Sequence, residues 1–256
     1  MTKISVIIPV FNSALTIERA INSVFSQTFS NIEIIVINDG STDSSSLILK
    51  SYMNRIKKVN FDKNKGVSNA RNHGMSIATG NYIAFLDSDD YWLPNKISTQ
   101  LQFMIENRAN ASCSYVSYVT IDNNNDTKIK FIKKPIPLYD RKNFWVLCLE
   151  NKIITSSVMI KKEVIPQAGF SNLRARQDLA FWVSLIKSGI SFQAIPQQLT
   201  IYDLSSPGIS SNKFKMIIAN FKCFKLIFNS NIMAFIFINL NIIFNLKTRF
   251  IGFFKS

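Results

Sequence analysis

The sequence predicts an α/β protein with a mostly parallel sheet that is covered by helices on both faces. Short apolar, β-branched runs alternate with helix-periodic segments through the first hundred residues, and each run ends in a cluster of Asn, Asp, Gly or Ser. The 256 residues are 47% apolar and 18% charged, a balance that is typical of a globular protein and not of a disordered one. This length is sufficient for one large domain or for two closely packed small ones.

The first half contains four predicted strands and four predicted helices. Asp43 or Ser44 is suited to cap the second helix, and Pro94 is suited to the first turn of the fourth. The predicted strands are Ile4–Val10, Glu33–Ile37, Ile56–Phe61 and Tyr82–Leu86. The apolar face of the first helix is Ile17, Ala20, Ile21, Val24 and Phe25, and that of the third is Val67, Ala70, Gly74, Ile77 and Ala78.

The second half has a weaker pattern. We expect it to complete the same sheet, mainly with antiparallel strands. The predicted strands are Ala111–Ile121 and Ile153–Ile160, and an exposed turn is predicted at Asp122–Asp126. The predicted helices are Phe144–Leu149 and Asp178–Lys187, the latter ended by Gly189.

Polar residues follow three of the predicted parallel strands, where ligands of open parallel sheets bind. These segments are Phe11-Asn12, Asp39-Gly40 and Asp87-Ser88-Asp89-Asp90. Each alone is consistent with an ordinary turn or a solvated acidic loop. However, three carboxylates within four residues repel one another, and a hard divalent cation shared with ligand phosphates would relieve that repulsion. The coincidence of the three segments predicts a metal and phosphate site.

Four motifs in this half resemble those of bacterial family 2 glycosyltransferases of the GT-A fold. The motifs are ISVIIPVFN from Ile4, NDGSTD from Asn38, KGVSNARNHG from Lys65 and FLDSDDYW from Phe85. They occur in the order and at the spacing of that family. The resemblance implies a nucleotide-sugar-binding half over residues 1–110 and an acceptor-binding half over 111–212 of the same GT-A domain.

The resemblance implies a role for individual residues of these motifs. Phe11 would lie against the nucleotide base, and Asp39 would hydrogen-bond uracil. Arg71 would lie near the base and diphosphate, although a helix-surface arginine is the simpler alternative. In the DxD motif, Asp87 would lie near the ribose and Asp89 would hold Mn²⁺ or Mg²⁺.

The segment Arg176–Trp182 resembles the second acidic motif of the family, with Gln177 in place of the usual acid. The resemblance makes Asp178 the general base, although it could also cap a helix. One base and in-line displacement would invert the anomeric centre, whereas a glycoside hydrolase needs two flanking carboxylates. The later basic residue of the family has no clear match in Ile201–Ser206.

The histidine, the cysteines and the apolar runs of the chain limit its possible metal sites, disulfides and membrane segments. His73 is the only histidine, and we expect a structural role for it. Cys113, Cys148 and Cys223 are too scattered for a zinc site or a disulfide framework, which indicates a reducing compartment. The apolar run at the start is too short for a signal peptide, and no stretch reaches the ~18–20 apolar residues of a membrane span.

Residues 213–256 carry seven basic and no acidic side chains, half of the net charge of +14. Basic residues mixed with Ile, Phe and Leu predict C-terminal membrane-associating helices at the lipid interface, with core packing as the alternative. We therefore expect a cytoplasmic protein that is peripheral on the inner face of the bacterial inner membrane.

By analogy with the family, we expect transfer of a hexose, first glucose from UDP-glucose, to a polyprenyl-diphosphate-linked sugar in O-antigen or capsule synthesis. One alternative is a metal-dependent nucleotidyltransferase, which should carry a Gly-rich phosphate loop that Phe11-Asn12-Ser13-Ala14 lacks. Another is a non-enzymatic basic protein that binds membrane or nucleic acid, but its charge should cover one face rather than the tail. No nucleic-acid partner is expected.

Overall fold

The computed structural model describes residues 1–121, 127–204 and 213–253. It confirms the predicted α/β class with a mostly parallel sheet between helices. The strands are β1 (Ile4–Val10), β2 (Ile32–Asn38), β3 (Lys57–Asn60), β4 (Tyr82–Phe85), β5 (Tyr91–Trp92), β6 (Ala111–Ile121), β7 (Thr127–Lys133), β8 (Leu138–Tyr139), β9 (Val158–Lys161) and β10 (Phe192–Asp203). The helices are α1 (Ile17–Phe25), α2 (Ser45–Lys50), α3 (Val67–Ile77), α4 (Lys96–Glu106), α5 (Trp145–Leu149), α6 (Gln177–Ser188), α7 (Lys213–Phe228) and α8 (Asn231–Phe253).

The first half forms the parallel part of the sheet. The main path of strands runs β3-β2-β1-β4-β9-β6-β10-β5, and β1 pairs in parallel with both β2 and β4. All seven residues of β1 are buried because helices cover both faces. Gly74 of α3 packs so closely on β1 that a Cβ there would lie 2.6 Å from Ile7 Cγ2. The prediction for Pro94 is wrong, since α4 begins at Lys96 with Asn95 as its N-cap.

The second half completes the sheet with mixed pairing. β9 is antiparallel to β4 and β6, and β7 is antiparallel to β6, as expected. β10 instead runs parallel to β6, so the carboxyl ends of these two strands lie at the same edge of the sheet. The strand predicted at Ile153–Ile160 is shorter, because Thr155–Ser157 form a 3₁₀ turn before β9. The turn predicted at Asp122–Asp126 lies outside the described residues.

The predicted tail helices are part of the fold. One side of α7 and α8 contributes buried side chains to the same core as α5 and α6: Cys223, Phe224, Ile227, Ala234 and Ile238. Asn241 of α8 donates to the backbone carbonyls of Cys148 and Leu149 at 3.1 and 2.6 Å. The alternative of core packing is thus correct for this side. Other apolar residues of both helices are exposed, including Ile232 (74%), Phe235 (65%) and Ile243 (62%). Among the described helices, none combines the length and apolar character required to cross a bilayer.

Candidate active site

The loops after β1, β2 and β4 meet at one edge of the sheet and are joined by hydrogen bonds. Asn12 adopts a left-handed conformation (φ 49°), and its Oδ1 accepts a hydrogen bond from the backbone N–H of Thr42 at 2.8 Å. The hydroxyls of Ser13 and Ser88 lie 2.7 Å apart, which connects the first loop to the acidic loop. The three polar segments predicted to share a site therefore do so.

Phe11 and Asp39 occupy different environments at this edge. Phe11 is 46% exposed, so part of its side chain is accessible to a ligand. Asp39 is 2% exposed, and its two carboxylate oxygens accept the backbone N–H groups of Lys65 and Gly66 at 2.7 and 2.8 Å. Gly40 has a φ of 70°, and a Cβ there would lie 2.6 Å from the Lys63 carbonyl carbon. In the structure Asp39 holds the 65–66 loop, and its contact with a base stays a prediction.

Arg71 is 3% exposed, so the alternative of a helix-surface arginine is wrong. Its Nη2 atom forms an ion pair with Asp87 Oδ1 at 2.5 Å. Nε and Nη1 are also buried, and no acceptor among the described residues contacts them. Leaving two buried guanidinium N–H groups without acceptors is costly, and the oxygens of a bound phosphate group are acceptors that suit a guanidinium.

The three carboxylates of the acidic loop have separate environments. Asp90 is 1% exposed and accepts a hydrogen bond from the Ser156 hydroxyl, and burial followed by the Asp89 and Asp87 charges raises its pKa well above the usual value. Asp87 is paired with Arg71. Asp89 is partly exposed, and burial together with the Asp87 charge raises its pKa to about 6. Within the described residues, Asp89 is thus the partly exposed carboxylate of this loop that has no ion-pair partner.

This donor set suits a hard divalent cation. Among the described residues, no three Asp, Glu, His or Cys side chains cluster closely enough to enclose a metal. A metal at Asp89 would therefore complete its coordination with ligand phosphate oxygens and water, as Mg²⁺ commonly does in nucleotide sites. A bound cation would also offset the repulsion that raises the Asp89 pKa.

Two residues of this edge were not identified from the sequence. Arg19 of α1 donates through Nη2 to the Asp89 backbone carbonyl at 2.8 Å and to Asp203 Oδ2 at 2.7 Å. Asp203 lies at the end of β10, a strand that was not predicted from the sequence, so the strand-end rule was not applied to it. Together they fix the backbone of the acidic loop against the last strand.

Tyr118 of β6 and Tyr202 of β10 are register partners in the parallel pair, and their rings stack with centroids 4.5 Å apart. Burial, followed by Asp90, Asp89, Asp87 and then Asp178, raises the pKa of Tyr202. Burial, then Tyr202, Asp90 and Asp178, raises that of Tyr118. Both phenols therefore stay protonated as hydrogen-bond donors. The stacked pair is within electrostatic range of the acidic loop and of Asp178.

Asp178 is the second residue of α6, and Oδ2 accepts a hydrogen bond from Asn151 Nδ2 at 3.0 Å. The helix begins at Gln177, with Arg176 as its N-cap in a left-handed conformation (φ 64°), so the prediction that Asp178 caps it is wrong. Asp178 is partly exposed.

His73 packs edge-on against Phe61 (centroids 5.6 Å apart), a contact consistent with its predicted structural role.

Comparison with known proteins supports this geometry. Residues 5–168 match the family described as glycosyl transferase family 2. The putative teichuronic acid biosynthesis glycosyltransferase TuaG of Bacillus subtilis is 38% identical over 218 residues, which cover 83% of each chain. The Escherichia coli UDP-Glc:alpha-D-GlcNAc-diphosphoundecaprenol beta-1,3-glucosyltransferase WfgD is 35% identical over 83% of this chain and 81% of its own.

A solved structure has the same fold. Staphylococcus aureus TarS 1-349 in complex with UDP-GlcNAc superposes with a TM-score of 0.71 at 20% identity, over 90% of this chain and 68% of the other. This similarity confirms the GT-A arrangement that the motifs predicted.

Proposed function

This chain belongs to glycosyl transferase family 2, and from that premise we propose that it is an inverting, metal-dependent hexosyltransferase of bacterial surface polysaccharide synthesis. The observation that carries the proposal is the buried guanidinium of Arg71, which is paired with Asp87 of the acidic loop and has two N–H groups without acceptors among the described residues. A diphosphate with a divalent cation satisfies both the N–H groups and the carboxylate.

The proposed donor is UDP-glucose. In this proposal the exposed ring of Phe11 contacts the base, Asp39 is assigned to uracil by the family resemblance, and the paired Arg71 and Asp87 contact the diphosphate and ribose. WfgD is described as using UDP-Glc, which supports glucose as the first choice. The nucleotidyltransferase and the non-enzymatic alternatives are not supported by the family match.

The proposed acceptor is a sugar on a polyprenyl diphosphate, the class in the name of WfgD. TuaG is described as acting in teichuronic acid biosynthesis, also a surface polysaccharide. We extend this acceptor class to the present chain, with O-antigen or capsule assembly as the process.

In the proposed mechanism the chain binds and orients both substrates and deprotonates the acceptor. Arg71 stabilises the negative charge that develops on the leaving diphosphate. Mn²⁺ or Mg²⁺ held by Asp89 would act as a Lewis acid on the same group. Asp178 takes the proton of the acceptor hydroxyl as that oxygen attacks the anomeric carbon, and Asn151 orients its carboxylate. The Tyr118 and Tyr202 phenols can donate hydrogen bonds to the sugars between these groups.

The exposed side of α7 and α8 is the proposed membrane contact. This side exposes several large apolar side chains that are not part of the core. Lys222 and Lys225 of α7 are also exposed. A peripheral position on an anionic leaflet would bring the active site to the lipid-linked acceptor.

A panel of UDP-sugars with a short-chain lipid-diphosphate N-acetylglucosamine acceptor tests the proposed function, with and without Mn²⁺. We expect a single glycosylated lipid product, formed fastest from UDP-glucose and only with metal present. Transfer from another UDP-sugar would correct the donor, and the absence of transfer from every donor would overturn the activity.

A further inference from the structure

A polar cavity of about 130 Å³ lies where the predicted acceptor half meets the tail helices. Its lining includes Lys133 from β7, Glu150 and Asn151 after α5, and Arg176 before α6. Asn220 of α7 and Asn241 of α8 complete its wall. The tail helices therefore build part of a binding cavity as well as part of the core.

The cavity contains more cationic than anionic groups. Burial lowers the pKa of Lys133, and the positive charges of Arg176 and Lys152 lower it further, while Glu150 and Asp178 act in the opposite direction. The nearest acid, Glu150, is already paired with Lys152 at 3.2 Å. Within the described part of the chain, no carboxylate forms an ion pair with Lys133 or Arg176. An anion that entered the cavity would find two cationic side chains without a fixed counter-charge.

The cavity is directly connected to the proposed general base. Asn151 lines it and also donates to the Asp178 carboxylate, and Arg176 is two residues from Asp178. Lys133 Nζ lies 5.7 Å from the centre of the Tyr118 ring, which also stacks on Phe131 and on Tyr202. Arg176 is held in position because its Nε donates to Asn220 Oδ1 at 2.8 Å.

A lipid-linked acceptor requires a diphosphate site close to the general base. In the first sugar of such a lipid, the hydroxyl that attacks and the diphosphate on the anomeric carbon are separated by a single pyranose ring. A diphosphate site must therefore lie about one sugar away from the base. Asn151 brings the wall of the cavity into contact with the base, and Asn220 and Asn241 bring α7 and α8, whose exposed apolar side would accompany the lipid chain, to the same wall.

We propose that the cavity between β7, α6 and the tail helices binds the diphosphate of the lipid-linked acceptor through Lys133 and Arg176. This inference rests on the proposed function, because it assigns a subsite to the acceptor of that reaction. Lys133 is a binding residue in this account and takes no part in the chemical step.

The test compares Lys133→Gln with Lys130→Gln, a matched control on the exposed part of the same strand. Both full-length variants are assayed with two acceptors that carry the same sugar, one a short-chain alkyl diphosphate and the other an uncharged alkyl glycoside. We expect Lys133→Gln to lower the ratio of kcat/KM between charged and uncharged acceptors by at least about tenfold, mainly through KM for the charged acceptor. Lys133→Arg should restore most of the ratio, and Lys130→Gln should leave it unchanged.

A direct binding measurement separates this inference from the proposed function. Methylenediphosphonate is titrated by calorimetry into protein saturated with UDP, in one metal buffer for all variants. We expect binding to the wild type and at least tenfold weaker binding to Lys133→Gln. Equal affinity of the two proteins, or no binding once UDP fills the donor site, would overturn the assignment. Failure of the proposed function would instead appear as a lack of turnover with either acceptor.

Discussion

At the scale of single residues, the acidic loop illustrates how burial separates three carboxylates of similar sequence context. Asp90 is buried against Ser156, Asp87 is paired with Arg71, and Asp89 is partly exposed at the edge of the sheet, where burial and the Asp87 charge raise its pKa. The DxD pattern predicted a cation but could not distinguish Asp90, whose role depends on Ser156 sixty-six residues later. The burial of Arg71 was equally hidden, because it depends on residues of the second half that pack over α3.

Asp89→Asn tests the metal role at this scale. We expect transfer to fall by more than about 10²–10³-fold, because the variant removes the carboxylate that would hold the charge-stabilising cation. The melting temperature should change little, since the side chain is partly exposed. Asp62→Asn, at an exposed acid outside the site, is the control. Full activity in a chelator, or in Asp89→Asn, would show that no metal acts there.

Asp178→Asn tests the base. The change keeps the shape of the side chain and its contact with Asn151 but removes its affinity for a proton. The transfer rate should fall by ~10²–10⁴-fold while the affinity for UDP, measured by calorimetry, is retained. A variant that transfers at the wild-type rate would mean that another group deprotonates the acceptor.

At the scale of the elements, β1, α1, β2, α3 and β4 follow the sequence pattern closely because local periodicity and strand-end turns determine them. β10 was not predicted, since this strand depends on pairing with β6 across about eighty residues of chain. β9 is shorter than predicted because Ser156 and Ser157, which lie within an apolar run, form hydrogen bonds outside the sheet. The Ser156 hydroxyl accepts the backbone N–H of Asp87, and the Ser157 hydroxyl donates to the Ile154 carbonyl. Long-range pairing and buried polar contacts are therefore what sequence periodicity missed.

Glu33 of β2 joins three elements and offers a test of the fold. Partial burial raises its pKa, but hydrogen bonds from Ser5, Thr79 and Lys3 outweigh this effect and lower the pKa from 4.5 to about 2. Because the folded-state pKa is depressed, the stabilisation is complete above pH 4.5 and is lost as the pH falls towards 2. Glu33→Gln should lower the free energy of unfolding at pH 7 by on the order of 3 kcal/mol.

Urea denaturation between pH 7 and pH 2 provides this measurement. Glu33→Gln should lose less stability than the wild type between pH 4.5 and 2, since its contribution is already absent. Glu106→Gln, at an exposed helical position, should behave as the wild type. Parallel stability curves for the wild type and Glu33→Gln would contradict the assigned hydrogen bonds.

At the scale of the whole molecule, the tail helices have two apolar sides with different environments. The buried side, with Cys223 and Phe224, belongs to the core, so removal of residues 213–256 should expose α5 and α6 and destabilise the domain. A truncation is therefore a poor test of membrane binding. Substitutions on the exposed side leave the core contacts intact and separate the two roles.

Lys222→Gln combined with Lys225→Gln should weaken binding to anionic lipid vesicles by roughly 30-fold, at about 1 kcal/mol for each charge near the surface. Replacing the exposed Ile232, Phe235 and Ile243 by Ser should weaken it further, because these side chains would enter the acyl boundary. Leu47→Ser, an equally exposed apolar position on α2, is the control. If all variants sediment with vesicles as the wild type does, the tail is not the membrane contact.

The anomeric configuration of the product tests the central claim most directly. Transfer from UDP-α-glucose to the lipid-diphosphate acceptor, followed by NMR of the new glycosidic linkage, reports whether one displacement occurred. A single base at Asp178, opposite the diphosphate held by Arg71, predicts a β-linked product that forms ~10²–10⁴-fold more slowly when Asp178 is replaced by Asn. An α-linked product would contradict the single displacement and the assignment of Asp178.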